Sequence, residues 1–235
     1  MDAKADSMRV RKEKKIVAQL KCAKCPLKPC QAGIRDRTLP PFCPMKKSPA
    51  LVKRVSRRYL EKRVSDFYVR AALTEKGCYD EGEAREGRTL PLRPRIRELA
   101  EFAKSIGAVR IGLAFCSGLA EEATRISAIL EKHGLDVHSV VCCCGAADKT
   151  EHGIPPEHKI KGRDRFEAAC NPLLQAELLN RAGTAFNILV GLCVGHDMLF
   201  TSNSKAPVTT LIVKDRYTGH NPVISLYTKY HKDIV

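Results

Sequence analysis

The sequence predicts an α/β fold, with a mostly parallel sheet of about four strands, flanking helices and an N-terminal cysteine-rich metal module. Three observations carry this expectation. After about residue 108, short apolar runs alternate with amphipathic helical stretches, the pattern of strands joined by helical crossovers. Two of these units echo each other: IGLAFCSGLAEEA and ILVGLCVGHDMLF both run apolar strand, glycine, apolar residue, cysteine, loop, helix. Finally, four of the 11 cysteines crowd into residues 22–43 among prolines. The expected division is residues 1–49, a basic segment with the metal module, and residues 50–235, the α/β domain.

Taken in chain order, residues 7–20 read as a short basic helix. Residues 21–49 (KCAKCPLKPCQAGIRDRTLPPFCPMKKSP) offer little apolar material to pack, and a segment without a core needs another staple, such as metal. A helical period returns over 51–73, with Val55, Tyr59, Val64, Phe67 and Ala71 on one face. Gly77, Gly82 and Gly87 mark an irregular stretch around Cys78. Pro94 suits the first turn of a helix that ends near Gly107. Strands are expected over 109–115, 137–143, 185–192 and 208–213. Helices fall over 119–133, stopped by Gly134, and over 172–181, with Asn171 as N-cap ahead of Pro172. Asn221 and Pro222 repeat that cap signal before a last helix.

Composition narrows the function classes. With 235 residues and 44% hydrophobic content, the chain can bury one sizeable core. No apolar signal-peptide core follows the polar start MDAKADSMRVRKEKK, and the longest apolar run, near 186–194, is too short to span a bilayer. The expected compartment is therefore the cytoplasm, with no membrane association. A reducing compartment turns clustered cysteines from disulfides into metal ligands or reactive thiols. Residues 1–110 hold 28 of the 41 Lys and Arg but 13 of the 26 Asp and Glu, so the entire net charge of +15 lies there. Such asymmetry fits either a solvated basic surface or an acidic partner such as nucleic acid.

Two constellations carry chemistry. Cys22-x2-Cys25-x4-Cys30-x12-Cys43 supplies four thiolates on proline-stiffened loops, with Lys24, Lys28 and Arg35 to offset their charge. Tetrahedral zinc and an iron–sulfur cluster both suit four thiolates. With a single CxxC, the spacing resembles cluster loops more than paired zinc knuckles. The second constellation exists only in the fold. Cys116 and Cys193 each end an expected strand, Cys142, Cys143 and Cys144 end another, and Cys170 precedes a helix. Parallel sheets gather ligands beyond the carboxyl ends of their strands, so Cys116, Cys142, Cys170 and Cys193 are expected around one crevice. Alternation along a strand keeps Cys142, Cys143 and Cys144 from all pointing at one metal, and Cys142 is favoured. His196, Asp197 and His220 are candidate catalytic groups at that rim, with Lys205, Asp215 and Asn221 nearby. A helix-start histidine beside a first-turn aspartate explains His196 and Asp197 equally well, and Lys214-Asp215-Arg216 reads as an exposed strand end. The phosphate loop, dinucleotide fingerprint, nucleophile elbow and HExxH motifs are absent.

Several strings carry a resemblance: Ala169 to Asn180 (ACNPLLQAELLN), Asn187 to Asp197 (NILVGLCVGHD), Lys214-Asp215-Arg216 and Gly219-His220-Asn221-Pro222. They resemble a prokaryotic family with a domain of unknown function whose members are often labelled metal-binding proteins. The resemblance runs from Cys22 to about Tyr227, and CNP, GLCVGHD and GHNP are its most specific strings. It implies cysteine-based metal binding without an assigned reaction. The leading expectation is a metal-binding, iron–sulfur protein whose crevice serves redox or catalytic chemistry, with a redox partner protein. The alternative is a zinc-stabilised interaction protein that holds an acidic partner such as nucleic acid.

Overall fold

A computed structural model describes residues 20–26, 28–35, 38–79 and 90–231. The expected basic helix over 7–20 lies outside the described residues but for Leu20, as do Gly82 and Gly87. The chain forms two compact units, residues 1–69 and 70–235.

The described part of the first unit has little core. From residue 20 to residue 69, only Cys25 and Leu39 are buried. Two short 3-10 turns, Cys22–Lys24 and Pro29–Ala32, precede helix α1 (Pro44–Lys47), α2 (Pro49–Arg58) and the start of α3 (Lys62–Lys76). The single helical period expected over 51–73 is thus two helices. After Arg58 the backbone tightens to i−3 hydrogen bonds, Leu60 N–H to Arg57 O (3.0 Å) and Glu61 N–H to Arg58 O (3.1 Å). Arg57 and Arg58 sit in the last turn, where cations favour the negative end of the helix dipole.

The second unit contains helix α4 (Arg95–Ser105) and then the alternating part of the chain. Strand β1 (Arg110–Phe115) leads through α5 (Ala120–Lys132) to β2 (Asp136–Val141). Helix α6 (Pro172–Ala182) leads to β3 (Asn187–Val190), and α7 (His196–Asn203) to β4 (Val208–Ile212). Helix α8 (Ile224–Tyr227) follows. The strands pair in the order β2-β1-β3-β4, all parallel, so the expected four-stranded parallel sheet with flanking helices is present. The central strands β1 and β3 are buried along nearly their whole length and the edge strands are half-buried, as continuous apolar runs in a covered parallel sheet require.

The first crossover moves one way across the sheet and the next two move the other way. Right-handed crossovers therefore put α5 on one face and α6 and α7 on the other. Accordingly α4 packs on α5, and α6 packs on α7. Pro94 stands just outside α4 in extended conformation, with ψ 153°, rather than in its first turn. Asn171 caps α6 as expected, its Oδ1 accepting from Leu174 N–H at 3.0 Å. Val223, not Asn221, is the N-cap of α8, because Asn221 uses its backbone carbonyl to accept from Ile224 N–H at 3.1 Å.

One polar pair fixes the register of the two central strands. Asn187 of β3 is fully buried and sits beside its register partner Gly112 of β1. Its Oδ1 accepts from Thr184 Oγ1 (2.8 Å) and its Nδ2 donates to Ser204 Oγ (2.8 Å). A Cβ on residue 112 would stand 1.9 Å from Asn187 Oδ1 and 2.9 Å from a Leu179 methyl. Gly112→Ala is therefore expected to destabilise the second unit by about 1–3 kcal/mol through overpacking, read as a lower urea midpoint. An unchanged midpoint would show that the Asn187 network yields without cost.

Candidate metal centre at the sheet rim

All four strands deliver their carboxyl ends to one edge, and each end carries a chemically distinctive side chain. In sheet order these are Cys142 beyond β2, Cys116 beyond β1, Cys193 beyond β3, and Lys214 with Arg216 beyond β4. Cys170 enters the same rim just ahead of the α6 cap.

Local backbone bonds place each thiol. Cys116 N–H donates to Val190 O (3.0 Å) and Cys142 N–H to Phe115 O (2.8 Å), extending the β1 pairing to both neighbours by one residue. Asn171 N–H donates to Cys142 O (2.6 Å), drawing Cys170 against the end of β2. Behind them Gln175 of α6, fully buried, donates its Nε2 to Val140 O (2.8 Å) and Phe115 O (3.3 Å). Gly191 turns the chain out of β3 with φ +64°, and a Cβ there would meet a Leu119 methyl at 2.6 Å. That close approach joins the exits of β1 and β3.

The thiols are coupled. Cys142 acts on the titration of both Cys116 and Cys170. The bond with Cys142, followed by burial, pushes the Cys116 thiol up to about 12, against the opposing pull of Gly118 N–H and Lys214. The Cys142 bond pulls Cys170 below the ordinary thiol value in spite of burial and the nearby Cys193 and Cys116. Cys142 draws stabilisation for its thiolate from Cys116, but Cys170 and burial outweigh it and leave the thiol raised. Ser117 N–H donates to Cys142 Sγ at 3.3 Å. Two cations face the sulfurs: Lys214 Nζ lies 3.5 Å from Cys116 Sγ and Arg216 Nη2 lies 3.2 Å from Cys193 Sγ. The bond to Cys193 raises the Arg216 guanidinium further.

Two stitched loops frame the rim. Residues 145–169 leave after Cys144 and return at Cys170, closed at the base by Ala169 N–H to Ala147 O (2.9 Å) and Lys149 N–H to Glu167 O (3.0 Å). Asp148 is the hub, accepting from Glu167 N–H (2.8 Å), Thr150 N–H (3.0 Å) and Lys159 Nζ (3.0 Å). The second loop runs from Lys214 to Asn221. Asp215 Oδ1 accepts from Tyr217 N–H and Thr218 N–H (2.9 and 3.1 Å), and Asp215 N–H donates to His220 Nδ1 (3.1 Å). His220 itself holds φ +70°.

Several expectations change at this level. Cys142, Cys143 and Cys144 lie in a turn beyond Val141, closed by Cys144 N–H to Val141 O and Ala146 N–H to Cys143 O (both 3.2 Å). Strand alternation therefore does not govern them. Cys142 is the member that reaches Cys116 and Cys170. Cys193 lies three residues past β3 rather than at its end. Asp197 Oδ1 accepts from Gly195 N–H (2.9 Å) and Met198 N–H (2.8 Å), and His196 N–H donates to Cys193 O (3.0 Å). Both residues thus serve the start of α7. The His220 ring closes its own loop. Lys205 precedes β4 and lies at the opposite edge of the sheet, its N–H bound to Asn180 Oδ1 at 2.8 Å. Cys78 is a core thiol raised by burial and by its bond with Glu98, with Sγ 3.0 Å from Thr74 O.

In the first unit Cys25 is buried, Cys43 half-buried, and Cys22 and Cys30 exposed. Lys28 Nζ donates to Cys25 O. No hydrogen bond joins the sulfurs of these four. Among the described residues, no group of three or more His, Cys, Asp or Glu side chains is arranged to hold a metal ion. Among the described residues, no helix is long and apolar enough to cross a membrane. Lys214, Arg216 and the Asp148 loop are what sequence reasoning missed. The available signal was the KDR string directly after the fourth strand.

The fold and rim define a parallel α/β protein that delivers four cysteines to the carboxyl edge of its sheet. The chain belongs to the family described as "Protein of unknown function (DUF1847)", matched over residues 43–211. Cys116, Cys142, Cys170 and Cys193 all fall inside that span, whereas Cys22, Cys25 and Cys30 precede it and Lys214 and Arg216 follow it. The chain is also 47% identical, over 139 residues, to the "Uncharacterized protein MJ0455" of Methanocaldococcus jannaschii, covering 59% of this chain and 69% of that protein.

The Asp148 hub yields a pH prediction. Its carboxyl is held well below the ordinary range, first by Glu167 N–H, then by Thr150 N–H and Lys159. A depressed folded value stabilises the fold above the unfolded value of about 3.9, and the contribution is lost as pH falls below that. Asp148→Asn should therefore lower the urea midpoint at about pH 6, and the gap to wild type should narrow towards about pH 3. A gap independent of pH would remove Asp148 from the acid response.

Proposed function

We propose that the protein is a metal-binding protein that holds an iron–sulfur cluster through Cys116, Cys142, Cys170 and Cys193. The observation that carries this reading is the delivery of Cys116, Cys142, Cys170 and Cys193 to one edge of the sheet, with Lys214 Nζ 3.5 Å from Cys116 Sγ and Arg216 Nη2 3.2 Å from Cys193 Sγ. Four soft donors with no carboxylate among them suit iron–sulfur clusters, zinc or copper(I). The donors come from four separate chain segments with no CxxC knuckle, unlike the paired knuckles usual in structural zinc sites. Thiol contact is compatible with metal entry. Each sulfur turns about a single χ1 angle between staggered wells, and metal replaces the shared protons.

This chain's own residues have defined roles in the proposal. The Ser117 and Gly118 amides donate to Cys142 and Cys116, and such bonds to sulfur tune a cluster's potential. Lys214 and Arg216 offset part of the thiolate charge. An iron–sulfur cluster, when bound, supplies one-electron transfer. The reading extends to redox chemistry at the crevice with a partner that delivers or removes electrons.

The N-terminal cysteines Cys22, Cys25, Cys30 and Cys43 form a second proposed metal site. The support is the near absence of a core around them, with Cys25 and Leu39 the only buried residues between 20 and 69 among those described.

Anaerobic purification followed by iron, acid-labile sulfide and zinc analysis separates the alternatives. Cys116→Ser/Cys193→Ser is expected to lose the rim-bound iron and sulfide and the associated visible absorption. Cys22→Ser/Cys25→Ser should keep that fraction while residues 21–49 become protease-sensitive. Zinc without sulfide would replace the cluster by a zinc site. Metal content indifferent to all four cysteines would defeat the proposal.

A further inference from the structure

We propose that Cys142 and Cys170 form a reversible disulfide when the rim holds no metal, so that oxidation and metal occupancy exclude each other. The geometry already pairs them. Backbone bonds hold the two segments together on either side, Asn171 N–H to Cys142 O at 2.6 Å and Ala169 N–H to Ala147 O at 2.9 Å. Forming the bond therefore asks for side-chain rotation rather than backbone movement, which is the condition for an unstrained disulfide.

Access selects this pair over a Cys116–Cys142 link. Cys116 and Cys142 are both buried, at 7% and 3% exposure, whereas Cys170 is half-buried. Cys116 is also engaged by Lys214 Nζ. A small oxidant in solution thus meets Cys170 first.

The oxidant is a small-molecule disulfide, and the chemistry balances as thiol–disulfide exchange. The Cys170 sulfur attacks one sulfur of the small disulfide. That S–S bond breaks, a mixed disulfide forms on Cys170, and one small thiol leaves. Cys142 then attacks the Cys170 sulfur, the mixed bond breaks, and the second small thiol leaves. Two protein thiols become one disulfide, and the two electrons and two protons end on the two small thiols. Excess small thiol runs the sequence backwards. Because a disulfide sulfur is no thiolate ligand, oxidation removes two of the four proposed ligands and bound metal shields them. The shielding rests on the metal-binding reading, whereas the disulfide itself does not.

The test uses the full-length protein, stripped of metal with a chelator and treated with oxidised glutathione, followed by thiol counting and non-reducing peptide mapping. The expected result is a linked peptide pair through Cys142 and Cys170, with both thiols recovered by reduced glutathione. Protein pre-loaded with metal at 100 times its dissociation constant should oxidise about 100-fold more slowly. A link through Cys116, Cys143 or Cys144 instead, or stable glutathione adducts alone, would overturn the pairing. If the Cys142–Cys170 link forms but metal gives no protection, the mutual exclusion is overturned while the disulfide stands. If metal binds and no link forms, the disulfide is overturned while the metal reading survives.

Discussion

The side-by-side pairing of β1 and β3 is the constraint on which the rim depends. Both strands are buried along nearly their whole length, and the order β2-β1-β3-β4 makes their junction the place where successive crossovers change direction. Chains leaving adjacent strands for opposite faces open a crevice at the carboxyl edge. Cys116 and Cys193 leave the sheet at that junction, and Leu119 packed over Gly191 brings the two exits together. Below, Asn187 against Gly112 fixes the register of the same two strands. Without that pairing the cysteines would belong to separate loops.

The rim then has an electrostatic character that no single cysteine would possess. Neighbouring thiols and burial spread the titration of Cys116, Cys142 and Cys170 apart, with Cys116 hardest and Cys170 easiest to ionise. Lys214 and Arg216 meet sulfurs from a loop held shut by Asp215 and His220. Asp148 does the corresponding work in the loop that delivers Cys170. Both aspartates are acceptors for backbone amides, so each loop keeps its shape without apolar burial.

The sheet was legible because its strands are continuous apolar runs between helical periods, a pattern that survives in a single sequence. The delivery of Cys116, Cys142, Cys170 and Cys193 to one edge of the sheet was legible from topology alone, since parallel strands end at one edge. What the residues could not reveal was conformation set by tertiary hydrogen bonds. Cys142 to Cys144 are apolar enough to read as strand, yet Asn171 N–H takes the Cys142 carbonyl and the chain turns there, Cys144 N–H bonding Val141 O and Ala146 N–H bonding Cys143 O. Asp148 and the stitched loop 145–169 carry no hydrophobic period, so their order was invisible. Lys214 and Arg216 read as solvated charge because the sulfurs they face are 98 and 23 residues away in the chain. Lys205 shows the reverse failure, since a residue near strand ends in sequence lies at the opposite edge when it precedes its strand.

The central claim is that the rim can hold metal through sulfur alone, independently of the N-terminal cysteine segment. X-ray absorption at the metal edge tests it most directly, on protein in which Cys22, Cys25, Cys30 and Cys43 are all replaced by serine. The account predicts retained metal with an all-sulfur first shell at about 2.3 Å. Loss of metal, or a first shell dominated by nitrogen and oxygen, would contradict it.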